Sequence, residues 1–155
     1  IDEDLTMKNY LKEIVSNFKE TSNKNFVLNF DQDSNSKKIS RSIEIIYGLR
    51  NFIGNANKFS LKKIFISLKS DNVTTEIIIE DDGTGYPNEI LSKIGEPYLK
   101  SSNERDKSKT GLGLGLFIGK TLLEKNFARL NCRNSKIRNG AEVIISWKNS
   151  DLFNI

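Results

Sequence analysis

Two glycine clusters, Asp81-Asp82-Gly83-Thr84-Gly85 and Gly111-Leu112-Gly113-Leu114-Gly115, constrain this chain more than any other feature. Glycines stop a regular element from running on and let backbone approach backbone, or a ligand, where a Cβ would collide. The first cluster closes a run in which apolar residues alternate from Thr74 to Asp82, so it predicts a strand ending in a tight turn. The second precedes an apolar-periodic segment over 112–125 and predicts a glycine-rich entry to a helix. Between them, residues 95–110 lack periodicity and are rich in serine and lysine, which predicts a polar loop.

The remaining pattern alternates helices and strands. Leu5, Tyr10, Leu11, Ile14, Val15 and Phe18 predict a helix over 4–20, and Phe26, Leu28 and Phe30 a strand. A helix over 39–59 carries an apolar stripe of Ile45, Leu49, Phe52, Ala56 and Phe59, with Glu44, Gly48, Asn51, Asn55 and Lys58 on the other side. Its interior glycines, Gly48 and Gly54, each cost about 1 kcal/mol relative to alanine, which points to something approaching closely there. Strands over 61–69 and 74–82 pair through Ser70-Asp71-Asn72, and a short helix follows around 88–92. Alternation puts Thr75, Ile77, Ile79 and Asp81 on one face. Asp81 is thus carried toward apolar surroundings and needs a donor; the blander reading is an aspartate closing the turn before Gly83. Two last strands, marked by Ala128, Leu130, Cys132 and by Ala141, Val143, Ile145, Trp147, join through Asn139-Gly140. Interspersed helices and hairpins predict an α/β two-layer sandwich.

Several function classes are excluded. The chain has no histidine, which removes histidine acid–base catalysis, histidine zinc sites and phosphohistidine within these residues. The net charge of +4 is mild and the basic residues are spread, apart from Lys93, Lys100, Arg105, Lys107 and Lys109. A nucleic-acid partner is therefore not expected. The single cysteine, Cys132, cannot form an internal disulfide and reads as a buried small hydrophobe. No apolar run approaches the roughly 18–20 residues of a membrane span. The first residue is Ile1, not methionine, and a piece of a longer chain is expected.

The constellation matches what ATP and magnesium demand. A buried carboxylate, Asp81, accepts from the exocyclic amine of adenine, while Gly83 and Gly85 let the backbone turn close to the base. Gly111, Gly113 and Gly115, with the helix they precede, offer amides to phosphate. Asn55 supplies an amide oxygen to magnesium, which prefers oxygen ligands, and Asn51 and Lys58 lie about one turn to either side of it. The second cluster lacks the Gly-Lys-Ser/Thr ending of the Walker loop.

Taken together, these residues resemble the catalytic ATP-binding domain of sensor histidine kinases, within the superfamily of gyrase, heat-shock chaperone and mismatch-repair ATPases. Leu49-Arg50-Asn51-Phe52-Ile53-Gly54-Asn55-Ala56-Asn57-Lys58-Phe59-Ser60 is similar to the asparagine box of that family. Asp81-Asp82-Gly83-Thr84-Gly85-Tyr86-Pro87 and Gly111-Leu112-Gly113-Leu114-Gly115-Leu116 are similar to its two glycine boxes. Gly95-Glu96-Pro97-Tyr98 is similar to its aromatic box, and with residues 111–124 it also resembles the redox-responsive RegB/PrrB type.

The resemblance implies a Bergerat-type fold, a mixed β-sheet with helices on one face. It implies ATP and Mg2+ as ligands, with Asn55 on the metal, Asp81 on adenine, Lys58 and Asn51 toward phosphate, and Phe59 and Tyr86 beside the nucleotide. Gly83, Gly85, Gly111, Leu112, Gly113, Leu114, Gly115 and Leu116 complete the implied site, with Lys100 and Arg105 as cations of the covering loop. Residues 1–23 are read as the linker end of a histidine-bearing dimerisation domain and 24–155 as the catalytic domain. The implied parent is a homodimer that phosphorylates its own histidine and passes the group to a response regulator. This domain would be cytoplasmic and the parent anchored in the inner membrane. Hydrolytic relatives carry a glutamate four residues before the metal-binding asparagine; Asn51 stands there and cannot act as a base, which suits transfer to an external acceptor. The alternatives are a serine kinase of the anti-sigma-factor type and a regulatory module that binds nucleotide without catalysis.

Overall fold

In the computed structural model, which describes residues 6–31, 39, 42–94 and 111–152, five strands form one sheet of order β1-β2-β3-β5-β4. They are β1 (Asn25–Phe30), β2 (Lys63–Ser70), β3 (Thr74–Asp81), β4 (Arg129–Asn134) and β5 (Ala141–Lys148). The β1–β2 pair is parallel and the other three are antiparallel, so the sheet is mixed. Residues 64, 66 and 68 of β2, 75, 77, 79 and 81 of β3, and 143, 145 and 147 of β5 are buried, which marks the face covered by helices. This is the expected α/β two-layer arrangement.

Helix α1 (Met7–Lys19) starts where Thr6 accepts from the Asn9 amide. It buries Met7, Tyr10, Leu11, Ile14 and Val15 in the same core as the sheet, and the Tyr10 hydroxyl accepts from the Ser42 amide at 2.9 Å. Helix α1 therefore shares its core with the sheet and α2.

Helix α2 (Ile43–Phe59) begins later than the periodicity predicts because Ser42 caps it, its Oγ accepting from the Ile45 amide at 3.2 Å. Ile45, Leu49, Phe52, Ile53 and Ala56 are buried, but Phe59 is 41% exposed, since the helix ends at the sheet margin. Both interior glycines have a neighbour. A Cβ on Gly54 would meet the Phe18 ring at 3.3 Å, and one on Gly48 would lie 2.6 Å from Leu123 Cγ.

Leu123 belongs to α4 (Gly111–Lys125), which runs antiparallel along the side of α2 expected to be polar; α3 (Asn88–Ile94) and the short α5 (Asn149–Leu152) complete the order. The second glycine cluster lies within α4 and does not merely precede it. Glycine disfavours a helix, but here tertiary packing against α2 decides the outcome. Ile118 of this helix is 46% exposed. Gly48→Ala is expected to lower stability by about 1–3 kcal/mol through overpacking on Leu123 and the Gly119 carbonyl, read as a shifted unfolding midpoint.

Candidate functional site

At one end of the seam between helices and sheet, Asp81 finishes the buried face of β3 with 4% of its surface exposed. Its Oδ1 accepts from the Gly83 amide at 2.8 Å and from the Ala141 amide at 3.3 Å. The Gly83 bond is the turn closure offered as the blander reading, and the side chain that makes it is also the one buried at the end of the apolar face of β3. Burial pushes the Asp81 carboxyl above the ordinary aspartate range, against the two amides that favour its charge.

Its neighbour Asp82 points the other way, as alternation predicts. The Asp82 carboxylate accepts from the amides of Leu61, Lys62 and Lys63 at 2.8–3.2 Å. Slight burial acts upward on it, but the Lys62, Lys63 and Leu61 amides outweigh that and hold it below the ordinary range. Linkage gives the two aspartates opposite signs. The contribution of Asp82 to stability is present above the unfolded pKa and lost as pH falls through the folded one; that of Asp81 declines as pH rises through its raised value. A carboxyl-carbon NMR titration is expected to show Asp81 titrating above Asp82, and adenine-nucleotide affinity weakening as pH is lowered through the Asp81 transition.

Gly83 and Gly85 each occupy a place that no residue with a side chain fits, for different reasons. A Cβ on Gly83 would lie 2.2 Å from the Phe59 carbonyl oxygen. Gly85 has φ +85°, a left-handed conformation that strains any side-chain-bearing residue. Tyr86 is buried and packs into the core; burial, and then the nearby Cys132 and Asp81, push its hydroxyl well above the ordinary range. Burial likewise pushes the thiol of Cys132, which is half-buried and packed against the core, up to about 12.

Along its length, α2 presents a ladder to α4. Glu44 pairs with Lys125 at 3.1 Å, Gly48 abuts Leu123, and Asn51 lies under Gly119, whose added Cβ would sit 3.2 Å from Asn51 Cβ. Asn55 faces Gly115, where an added Cβ would be 3.8 Å from both amide heteroatoms. The polar stripe of α2 is thus roofed by α4, and Asn51 and Asn55 are half-buried. Asn55 Nδ2 is buried with no hydrogen-bond partner among the described residues. An amide so placed is costly unless something else satisfies it. The first-turn amides of α4 have no carbonyl within the helix to meet, so the same end of the seam offers further donors. Lys58 is exposed, its Nζ 5.3 Å from the centroid of the half-exposed Phe59 ring. Leu116 is buried in the core and supports α4 from beneath.

These features fit a phosphate-bound magnesium ion. Among the described residues no cluster of three His, Cys, Asp or Glu side chains gathers as a metal cage. Beside a helix N-terminus, the unpaired Nδ2–H of Asn55 suits a phosphate oxygen, and the amide oxygen of the same side chain is the kind of ligand magnesium prefers.

Three contributors escaped the sequence reading. Gly140, expected only as a turn residue, has ordinary φ, while Asn139 before it has φ 66°. A Cβ on Gly140 would be 2.0 Å from the Asp81 carbonyl oxygen and 2.4 Å from Asp81 Oδ1. Asn134 holds the first glycine cluster with both ends of its amide, accepting from the Tyr86 amide at 2.6 Å and donating to the Tyr86 carbonyl at 3.1 Å. Gly119 lets α4 reach α2, since its Cβ would meet the Phe52 ring at 2.9 Å. Only the glycine identities gave any signal, and nothing local says what each would touch. The turn bearing Gly140 is itself held: Ser135 Oγ donates to Glu80 at 3.0 Å, and the Arg138 guanidinium lies 3.6 Å from the Phe65 ring centroid. Lys100, Arg105, Lys107, Lys109 and Gly95–Tyr98 lie outside the described residues.

The family model described as histidine kinase-, DNA gyrase B- and HSP90-like ATPase matches residues 41–151. The chain is 40% identical over 108 residues to the sensor histidine kinase RegB of Cereibacter sphaeroides, covering 66% of this chain and 23% of that protein. It is 32% identical over 108 residues to the histidine protein kinase SaeS of Staphylococcus aureus, covering 67% of this chain and 30% of that one. In fold it is similar to the catalytic domain of the histidine kinase ThkA, with a TM-score of 0.71 at 22% identity, over 92% of this chain and 91% of that one. The chain spans about a quarter of the length of the first of these curated relatives.

Proposed function

We propose, since this chain belongs to the histidine kinase-, DNA gyrase B- and HSP90-like ATPase family, that it is the ATP-binding catalytic domain of a two-component sensor histidine kinase. It would donate the γ-phosphoryl group of ATP to a histidine on a separate domain. The observation that carries the reading is the pairing of a buried carboxylate, Asp81, at the end of β3 with an unsatisfied buried amide, Asn55, in the last turns of α2. One meets the donor edge of adenine and the other the triphosphate and its metal.

The residues divide the work. Asp81 accepts from the exocyclic amine, its free lone pairs directed by the two amides already bound to Oδ1. Asn55 holds Mg2+ through its amide oxygen, and Asn51, packed under Gly119, keeps the neighbouring turn of α2 in place. Lys58 brings positive charge toward phosphate from the exposed end of α2. Magnesium, when bound, supplies charge neutralisation on the phosphate oxygens. Phosphoryl transfer needs mainly alignment and charge stabilisation, which suits a site with no general base at Asn51. The bond from the γ phosphorus to the bridging oxygen breaks as the bond to an acceptor imidazole nitrogen forms, and ADP leaves with the electron pair.

With no histidine in the 155 residues, the acceptor comes from elsewhere in the parent. Among the described residues no helix is long and apolar enough to cross a membrane. A cytoplasmic setting for the domain, a membrane-anchored homodimeric parent and a downstream response regulator belong to the same proposal.

Two measurements test it. Incubated with magnesium and γ-labelled ATP, this chain alone is expected to stay unlabelled, and a supplied histidine-bearing dimerisation domain to acquire acid-labile label. Acid-labile label on this chain, or acid-stable label on a serine of a supplied protein, would overturn the assignment. Asp81→Asn is expected to reduce the preference for adenine over guanine nucleotides by about tenfold to a hundredfold, the worth of one charge-assisted bond. Unchanged selectivity would place the base elsewhere.

A further inference from the structure

We propose that Asp82 is a positioning residue that fixes the distance between the base end and the phosphate end of the nucleotide site. The inference rests on the nucleotide reading above and concerns how its two halves are joined. Asp81 sits at the end of β3, whereas Asn51, Asn55 and Lys58 ride on α2. Apolar packing holds α2 to the sheet, but such contacts are non-directional and resist separation better than sliding. Something directional must set the axial position of the helix.

The joint is at the C-terminus of α2. Ser60 caps the helix, its amide bonded to the Ala56 carbonyl, and the next three amides, Leu61, Lys62 and Lys63, all donate to the Asp82 carboxylate. Oδ1 takes Leu61 at 2.8 Å and Lys62 at 3.1 Å, while Oδ2 takes Lys62 at 3.2 Å and Lys63 at 3.1 Å. Both residues flanking Asp82 are committed as well. Asp81 is the base carboxylate, and Gly83 lies so close to the Phe59 carbonyl that a Cβ would be 2.2 Å from it. From the opposite side the Lys24 ammonium donates to the Ser60 carbonyl and, at 3.2 Å, to Ser60 Oγ. The two residues after β3, Asp82 and Gly83, thus hold the end of the helix that carries the metal and phosphate groups.

A ligand that touches both ends depends on that spacing, and a ligand that touches one end does not. Displacement of a fluorescent ATP analogue from the 155-residue chain, by Mg·ATP and separately by adenosine, reads the difference. For Asp82→Ala, Mg·ATP is expected to weaken by roughly tenfold or more, while adenosine changes by less than about twofold. Asp82→Asn keeps one acceptor oxygen and is expected to fall between Ala and the native protein. Loss of stability alone would weaken both ligands together. Equal loss of both, or loss of neither, overturns the proposal; if the alanine variant does not fold, the asparagine variant decides by the same ratio. A native chain that binds neither Mg·ATP nor adenosine removes the nucleotide reading and this inference with it.

Discussion

Asn55→Ala is expected to weaken Mg·ATP binding by roughly a hundredfold or more while leaving the unfolding midpoint unchanged or slightly raised. The opposed signs follow from one observation. Asn55 Nδ2 is buried in the α2–α4 seam without a partner among the described residues, so in the free protein the amide is a burden on stability. An unpaired buried donor costs about 1–3 kcal/mol, and alanine at this helical position removes it while improving helix propensity. The facing Gly115 leaves ordinary van der Waals room, so the truncation opens little that was tightly packed. Titration calorimetry with Mg·ATP and thermal unfolding of the free protein together check both halves. A variant that melts lower and binds as before would assign Asn55 to packing.

Gly140→Ala is expected to have the largest effect on stability, roughly 3–5 kcal/mol, together with loss of nucleotide binding. The clash is with backbone: the new Cβ would lie 2.0 Å from the Asp81 carbonyl oxygen and 2.5 Å from its carbonyl carbon. No rotamer change relieves that, unlike Gly48→Ala, where the nearest atoms belong to the Leu123 side chain. Either β5 moves away from the end of β3, losing the Ala141 bond to Asp81 Oδ1, or Asp81 is displaced from the base position. Chemical denaturation gives the first quantity and nucleotide titration the second. A variant as stable as the native protein with unaltered adenine affinity would contradict the role given to this contact.

Legibility differed sharply between kinds of residue. The alternation in Thr75, Ile77, Ile79 and Asp81 is a property of four positions on one strand, and the structure buries all four. The heptad-like spacing on α2 found its core face, with Phe59 as the exception because the helix ends there. By contrast, the spacing placed Asn51 and Asn55 on the polar side of α2 without saying what covers them, since periodicity reports which side is apolar but not what lies over the other side. The residues that cover it, Gly115, Gly119, Leu123 and Lys125, are far along the chain. Asn134 gave no local sign at all: its amide grips Tyr86 from another strand.

The sequence by itself determined the order of helices and strands, the burial of Asp81, the absence of an internal histidine acceptor and the family resemblance, because period, residue type and short spacing are local quantities. Folding alone reveals that α4 roofs the asparagines, that Gly140 and Asn134 pack about Asp81 and the first glycine cluster, and that Asp82 ties the end of β3 to α2. Those are contacts between segments separated by many residues. Their partners are chosen by how the sheet and helices pack, and no window of the chain contains both sides of the contact.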